Sequence, residues 1–206
     1  YKILTGAQSR KYFSVSAFPD AADCLIPAGR LLLIAMSLFL LHGLTAYGAG
    51  DTCIVAESGF SYSLAAPAGW VCDTVSGQDQ GMPVVFYRNG ENWSDASVVM
   101  YAASSEENEE NGRNIGELIK NEIKKFSDAY PDLEIKKNDR PIPGRKDTVT
   151  LRNFISRSSD IYESVAYFEK DGTVVMLVLS CTSAGDFTAC NNIFANLVNS
   201  FTVLDE

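Results

Sequence analysis

The sequence predicts an α+β fold in which a largely antiparallel sheet packs against helices. Two observations support this class. Strand-like and helix-like segments follow one another in the order β-β-β-α-β-β-β-β-α, and most neighbouring strand segments are joined by turn signals rather than by helices. Because hairpin links outnumber crossovers, the strands should run antiparallel with the helices packed on the sheet.

Seven segments have the period-two alternation or the short apolar run typical of a strand. They are residues 59–64, 82–88, 96–102, 133–136, 147–155, 162–169 and 173–181. Asn89-Gly90 and Lys170-Asp171-Gly172 are hairpin-type turn signals. Residues 174–179 are apolar on both faces, which is typical of a central strand, whereas 133–136 is short and edge-like.

Two further segments repeat apolar residues at helical spacing. In the first these are Ile115, Leu118, Ile119, Ile123, Phe126 and Tyr130, and in the second they are Phe187, Cys190, Phe194, Leu197, Val198 and Phe201. Asn114 is placed to cap the first helix and Pro131 to end it. The sequence therefore predicts one helix between the third and fourth strand segments and a second helix that closes the chain.

Residues 1–50 differ from the rest of the chain and predict a secretory leader. An apolar run, residues 31–44, is preceded by Arg30 and followed by the small residues Ala46, Gly48 and Ala49. That is the order of a signal peptide. At about 1.5 Å per residue the run would span about 21 Å, less than the roughly 30 Å of bilayer hydrocarbon. A cleaved signal is favoured over an uncleaved anchor, with residues 51–206 forming a single domain.

Four cysteines follow the leader: Cys53, Cys72, Cys181 and Cys190. An even set behind a signal segment predicts two disulfides in an oxidising compartment, hence a periplasmic or secreted protein. Of the possible connectivities, Cys53–Cys72 with Cys181–Cys190 is favoured, because each pair is close in sequence. None of the four lies in a CxxC arrangement, so neither a redox motif nor a zinc ribbon is indicated.

The composition also excludes several chemistries. His42 is the only histidine and lies inside the predicted leader, so a cleaved protein would contain no Ser-His-Asp, Cys-His or histidine-based metal site. No phosphate-binding glycine loop, nucleophile elbow or dinucleotide fingerprint is present. We therefore expect no catalytic residue, no cofactor and no metal. Carboxylate chemistry stays open, because the separation of two carboxylates requires coordinates.

The charge of the chain restricts its partners. From Asp51 onward there are 24 acidic and 13 basic residues, hence a net charge of −11. This charge opposes encounter with nucleic acid or an anionic membrane, so we expect an envelope protein or a small ligand instead, and a membrane contact only through an uncleaved leader. The acidic run Glu106, Glu107, Glu109 and Glu110 lacks the spacing of a calcium loop and is interpreted as solvated.

Two features are candidate contacts for a partner. Trp93 lies in the polar segment 89–95, where an exposed contact and packing over the sheet edge are both open interpretations. Arg140, Arg145 and Lys146 flank a Pro-Ile-Pro-Gly turn and form a small basic spot on an acidic chain. This spot could receive an anionic ligand or partner, although a solvated connector is the favoured interpretation.

Short phrases at both ends of residues 52–206 resemble the PsbP-like fold family. They are Phe60 with Pro67-Ala68-Gly69-Trp70, and Phe187, Phe194 and Asn199-Ser200-Phe201 on the closing helix. The resemblance implies an α/β/α sandwich, with an antiparallel sheet between helical layers. It implies no catalytic residue, because the family consists of binding and assembly proteins.

Together these observations predict a non-catalytic exported binding or accessory protein of the periplasm or cell envelope. The alternative is a carrier that holds a small hydrophobic ligand between sheet and helix, which requires an internal pocket. A carboxylate-based hydrolase is less favoured, since it requires two converging carboxylates in a cleft, one of them with a raised pKa.

Overall fold

The computed structural model describes residues 51–57, 59–106, 114–137 and 149–204. The leader and its apolar segment lie outside these ranges, so the signal peptide and the single-domain extent stay predictions. Within the described ranges, no helix has both the length and the apolar character that a membrane span requires.

A seven-stranded antiparallel sheet has the order β3-β4-β5-β9-β8-β7-β6. Its strands are β3 (Trp70–Asp73), β4 (Val84–Arg88), β5 (Val98–Glu106), β6 (Glu134–Lys137), β7 (Thr150–Ser156), β8 (Ile161–Lys170) and β9 (Thr173–Cys181). Strand β9 is fourth of the seven and every residue in it is buried, which confirms the predicted central strand. Strand β6 lies at one edge, as its short and charged sequence predicts.

A second, three-stranded antiparallel sheet has the order β1-β2-β10. Its strands are β1 (Thr52–Ala56), β2 (Ser61–Ala65) and β10 (Thr202–Leu204). The sequence predicts β2 but neither of its two neighbours. Strand β10 has three residues, too few for a period-two pattern to be recognised, and it pairs with a strand from the other end of the described chain.

Both predicted helices are present, and the first begins at its predicted cap and ends before Pro131, whereas the second ends at Ser200 and is followed by β10. Helix α1 (Ile115–Ala129) is capped by Asn114, whose Oδ1 accepts a hydrogen bond from the Glu117 amide at 3.0 Å. Helix α2 (Ala184–Ser200) is capped by Ser183, whose Oγ accepts from the Asp186 amide at 3.1 Å. These bonds satisfy amides that have no partner within the first turn of a helix.

The helices cover opposite faces of the large sheet. Along β9, Val174, Met176 and Val178 pack in the apolar cluster that contains α1. The residues between them, Val175 and Leu177, pack in the cluster that contains α2 and the small sheet. Since successive strand residues point to opposite faces, the architecture is an α/β/α sandwich of the predicted α+β class. We call the two faces the α1 side and the α2 side.

Aromatic rings fill the space between layers on both sides. On the α2 side, Phe201 stacks on Phe168 at 4.1 Å between ring centroids and packs in a tilted arrangement against Tyr62 of the small sheet at 5.1 Å. On the α1 side, Phe126 of the helix stacks on Phe154 of β7 at 4.7 Å. Such pairs add to the free energy gained by burial alone.

A disulfide between Cys53 and Cys72 joins β1 to β3. It therefore links the edge of the small sheet to the edge of the large sheet, and it confirms the first of the two predicted pairs.

The predicted disulfide between Cys181 and Cys190 is wrong, because the structure has both residues as buried thiols. Burial, followed by the neighbouring Cys190, raises the pKa of the Cys181 thiol to about 12, so this thiol is protonated at neutral pH. The Cys190 Sγ instead accepts a hydrogen bond from Arg88 Nη2 at 3.6 Å. The guanidinium of Arg88 also lies over the Trp70 ring, at 5.9 Å from its centroid, on the same side of the sheet.

Replacing Cys53 and Cys72 together by Ser should lower the free energy of unfolding by about 3 kcal/mol. The disulfide spans a sequence separation of 19 residues, and a loop of that order restricts the unfolded chain by about this amount. Urea denaturation with and without reductant measures the difference. A Cys181→Ala, Cys190→Ala variant is the control and should keep the full sensitivity to reductant. Loss of that sensitivity in the control would contradict the assigned pairing.

Candidate functional site

Trp93 packs on the α1 side of the large sheet, near its β3–β4 end. Its ring meets the ring of Tyr101 edge to face, at 6.5 Å between centroids and 79° between planes, and it stays partly exposed. Tyr101 is paired with Val85 of β4. Of the two interpretations that the sequence leaves open, packing over the sheet is therefore observed, with part of the indole still available to a partner.

Asp73, the last residue of β3, organises the turn that follows it. Its Oδ1 accepts hydrogen bonds from the amides of Val75 at 2.8 Å and Ser76 at 2.9 Å. Its Oδ2 accepts from the Ser76 hydroxyl at 2.6 Å and from the Tyr87 hydroxyl at 3.0 Å. Partial burial acts to raise the pKa of Asp73, but these four bonds outweigh it and lower the pKa to about 2. The carboxylate is thus charged and fully engaged at neutral pH.

The turn that Asp73 holds presents Val75 to solvent. The Val75 side chain is 73% exposed, and only Ile54 is comparable among the large apolar side chains of the described ranges. The backbone of this segment also packs closely against β4, because a Cβ on Gly77 would lie 2.6 Å from Val85 Cγ1, too close for any side chain. The exposed Val75 side chain is therefore carried by a turn that hydrogen bonds and close packing hold in place.

Val75, Tyr87 and Trp93 are supported by the same part of the sheet. Val85 pairs with Asp73 on one side and with Tyr101 on the other, and Tyr87 lies two residues further along β4, hence on the same face. We call these three exposed or partly exposed side chains, Val75, Tyr87 and Trp93 at the β3–β4 end of the large sheet, the apolar face.

Sequence reasoning finds Trp93 but misses Val75 and Tyr87. The spacing of Asp73 and Ser76 is typical of a side-chain-stabilised turn, and it is the signal that could have directed attention to Val75. Arg140, Arg145 and Lys146 lie outside the described residues, as do Glu107, Glu109 and Glu110, so the basic spot and the interpretation of the acidic run stay predictions. Glu106 is the last residue of β5.

Two buried carboxylates lie between α1 and the sheet. Glu122 of α1 is 5% exposed and its Oε2 accepts a hydrogen bond from the Tyr167 hydroxyl at 2.7 Å. Glu163 of β8 is 4% exposed and accepts from the Ser180 hydroxyl at 3.2 Å. Burial raises the pKa of Glu122 to about 7, although the bond from Tyr167 and the charge of Lys125 lower it.

Glu122 has one property of a hydrolase site, because its pKa is raised. Burial, followed by the charges of Glu163 and Glu122, raises the pKa of Tyr101, so both carboxylates act on the same ring. Each of them, however, is almost fully buried and accepts a hydrogen bond from a hydroxyl group. Glu122 joins α1 to β8 through Tyr167, and Glu163 joins β8 to β9 through Ser180. Across the described ranges, no three His, Cys, Asp or Glu side chains come together as metal ligands would.

Comparison with solved structures finds the fold family that the sequence resembles. The chain is similar to the cyanobacterial PsbP protein (CyanoP) of Synechocystis sp. PCC 6803, with 14% identity, coverage of 80% of this chain and 99% of that one, and a TM-score of 0.49. It is also similar to the Ran-binding protein Mog1p of Saccharomyces cerevisiae, with 12% identity, coverage of 76% and 97%, and a TM-score of 0.46.

The likeness is one of fold. At these identities it concerns the arrangement of helices and strands and says nothing about which residues act. No family model matches the chain, and no curated protein matches it. What the chain does therefore has to be inferred from its own residues.

Replacing Glu122 by Gln should remove a pH dependence of stability. The folded protein holds the Glu122 proton up to about pH 7, whereas a carboxyl with the reference pKa of 4.5 releases it earlier. The contribution of Glu122 to the free energy of unfolding therefore falls as pH rises from 4.5 to 7, by roughly 3 kcal/mol at most. Denaturation of wild type and variant between pH 5 and 8 measures it.

The control for this measurement is Glu169→Gln, which removes an exposed carboxylate from the same sheet. It should leave the pH profile of the wild type unchanged. Parallel profiles for wild type and Glu122→Gln would show that the buried carboxyl is ionised throughout this range.

Proposed function

We propose that this chain is an exported, non-catalytic binding or accessory protein of the periplasm or cell envelope, and that it contacts a partner protein through the apolar face. The observation that carries the proposal is the turn after β3, in which four hydrogen bonds to Asp73 hold Val75 at 73% exposure.

A pre-organised apolar contact is what protein recognition favours. Interfaces depend on a few anchors, and tryptophan and tyrosine are enriched among them. Binding also costs conformational entropy whenever a loop must become ordered. The Asp73 turn is ordered before any partner arrives, since its backbone amides and the Tyr87 hydroxyl are already bonded to one carboxylate. The entropic cost of contact at Val75 is correspondingly low.

The disulfide between Cys53 and Cys72 supports export. Disulfides persist in oxidising compartments and are rare where glutathione and thioredoxin keep thiols reduced. Together with the apolar segment 31–44, this places the working protein on the far side of a membrane in our proposal. This part of the proposal includes a periplasmic, a secreted and an envelope-bound protein.

The packing of both layers favours a surface contact over the carrier alternative. A hydrophobic ligand held between sheet and helix would require the space that stacked rings occupy, Phe126 on Phe154 on the α1 side and Phe168 on Phe201 on the α2 side. The hydrolase alternative is weakened by the burial of Glu122 and Glu163, each of which is bonded to a hydroxyl group.

Replacing Val75 by Asp should weaken retention of the partner at least about tenfold, since a buried anchor contributes about that much to an interface. The measurement is native mass spectrometry of protein purified from the envelope fraction of its own host, with the partner quantified relative to the chain. Ile54→Asp is a matched control, because Ile54 is 64% exposed but lies on β1, away from the apolar face.

The Val75→Asp substitution is on an exposed turn and should leave the thermal unfolding of the protein unchanged. Equal partner retention by Val75→Asp and wild type, or loss of the partner only in Ile54→Asp, would overturn the proposal that the apolar face is the contact. A small-molecule adduct in place of a bound protein would favour the carrier.

A further inference from the structure

We propose that the partner contacts the apolar face through a basic segment, a stretch of chain in which Lys or Arg alternates with apolar residues. This inference rests on the proposed function, since it names the class of partner for the same face. It is carried by the distribution of charge around Val75 and Trp93.

The part of the chain that builds the apolar face is poor in basic residues. Residues 51–106 contain seven Asp and Glu but a single basic residue, Arg88, and hence carry a net charge of −6. The following hundred residues contain 17 Asp and Glu with 12 Lys and Arg, a net charge of −5. The negative charge of residues 51–106 is therefore almost uncompensated, whereas most of that in the rest of the chain is balanced by basic residues.

Arg88 does not neutralise the apolar face, because its side chain lies on the opposite side of the sheet. It extends to the α2 side, where Nη2 lies 3.7 Å from Asp186 Oδ1 and 3.6 Å from Cys190 Sγ. Its remaining ion pair, at 3.9 Å, is with Glu91. Arg88 is thus paired on the other side of the sheet, and residues 51–106 contain no other basic side chain to bring positive charge to the apolar face.

Two carboxylates remain on the loops that carry the apolar face. Asp79 lies on the same loop as Val75, and Asp95 lies two residues after Trp93; both are exposed. Neither has an ion pair with another described residue. Such carboxylates at the rim of an apolar contact steer oppositely charged partners and reject negatively charged ones.

The partly exposed indole of Trp93 adds a second reason to expect a cation. A Lys or Arg side chain placed over a tryptophan face gains a cation–π interaction, and its aliphatic stem can cover apolar surface at the same time. The apolar residues of the same segment would then cover Val75 and Tyr87. Nucleic acid and anionic lipid do not fit this face, since both would be repelled by Asp79 and Asp95.

The test uses the full-length mature chain, labelled with ¹⁵N, and three synthetic peptides of equal length. In the first peptide Lys alternates with Leu, in the second Gln replaces Lys, and in the third Glu replaces Lys. Binding is followed by amide chemical shifts at 50 mM and 500 mM salt. We expect the Lys peptide alone to bind tightly, with shifts confined to residues 74–82 and 89–97 and with affinity that falls as salt rises.

Variants separate local charge from overall charge. Asp79→Asn with Asp95→Asn should weaken the Lys peptide by about three- to tenfold at low salt. Asp128→Asn with Glu169→Gln removes the same charge elsewhere and should leave the affinity within about twofold of the wild type. Val75→Asp should also abolish the shifts at 74–82, because the apolar contact is lost.

Equal binding of the Lys and Gln peptides at the face would overturn this inference, as would equal loss of affinity in both double variants or shifts that map elsewhere. None of these outcomes affects the proposed function, which depends on loss of the natural partner in Val75→Asp. Conversely, peptide binding at the face with an unchanged natural partner would refute the proposed function while leaving the peptide preference intact.

Discussion

The structure depends on the burial of both faces of strand β9. This strand is apolar along its length, is paired on both sides, by β5 and β8, and has no exposed residue. Each fully buried Val or Leu contributes roughly 1.5–3 kcal/mol, but only if its face is covered. Because alternate residues point to opposite faces, one covering layer cannot suffice. The need for two layers determines where both helices pack and makes the architecture a sandwich.

The two layers differ in how much of the sheet they cover, and the apolar face follows from that difference. Seven strands at about 4.8 Å spacing are about 29 Å across, whereas one helix covers about 10 Å. On the α2 side, the small sheet adds a second covering element, which the Cys53–Cys72 disulfide ties to β3. Among the described residues, the α1 side has one helix, stacked on β7 through Phe126 and Phe154. Of those residues, the loops that carry Val75 and Trp93 cover the β3–β4 end of that side, and Trp93 stays partly exposed.

The features that could be predicted from the sequence are those with local physical causes. The burial of β9 is visible as an apolar run, and the start of α1 is visible in Asn114. The turn after β8 is visible in Asp171 and Gly172, which both have positive φ, 50° and 73°, in the structure. By contrast, β10 depends on pairing with β2, and a three-residue strand has no pattern of its own. The hydrogen bond that Cys190 accepts comes from Arg88, which lies 102 residues away.

The same distinction explains what could be predicted of the site. Trp93 is recognisable because a large aromatic residue stands in a polar segment. The exposure of Val75 is not recognisable, since it follows from bonds between Asp73 and its neighbours, including Tyr87, 14 residues further along. A valine in a loop has no property in the sequence that distinguishes a presented side chain from a buried one. Only the geometry of the Asp73 turn makes that distinction.

The buried carboxylates connect the position of α1 to the support of the apolar face. Glu122 holds α1 to β8 through Tyr167, and its charge, with that of Glu163, acts on Tyr101. Tyr101 is also the ring on which Trp93 packs. Burying a carboxylate costs free energy in its ionised form, but an apolar residue at position 122 would remove the acceptor of the buried Tyr167 hydroxyl, which also costs free energy. Glu122 contributes a directional contact. A hydrogen bond to one hydroxyl defines the register of α1 on the sheet, whereas apolar packing alone would tolerate a shift. The surface on which Trp93 packs is thereby determined by a polar contact in the core as well as by the strands that carry Tyr101.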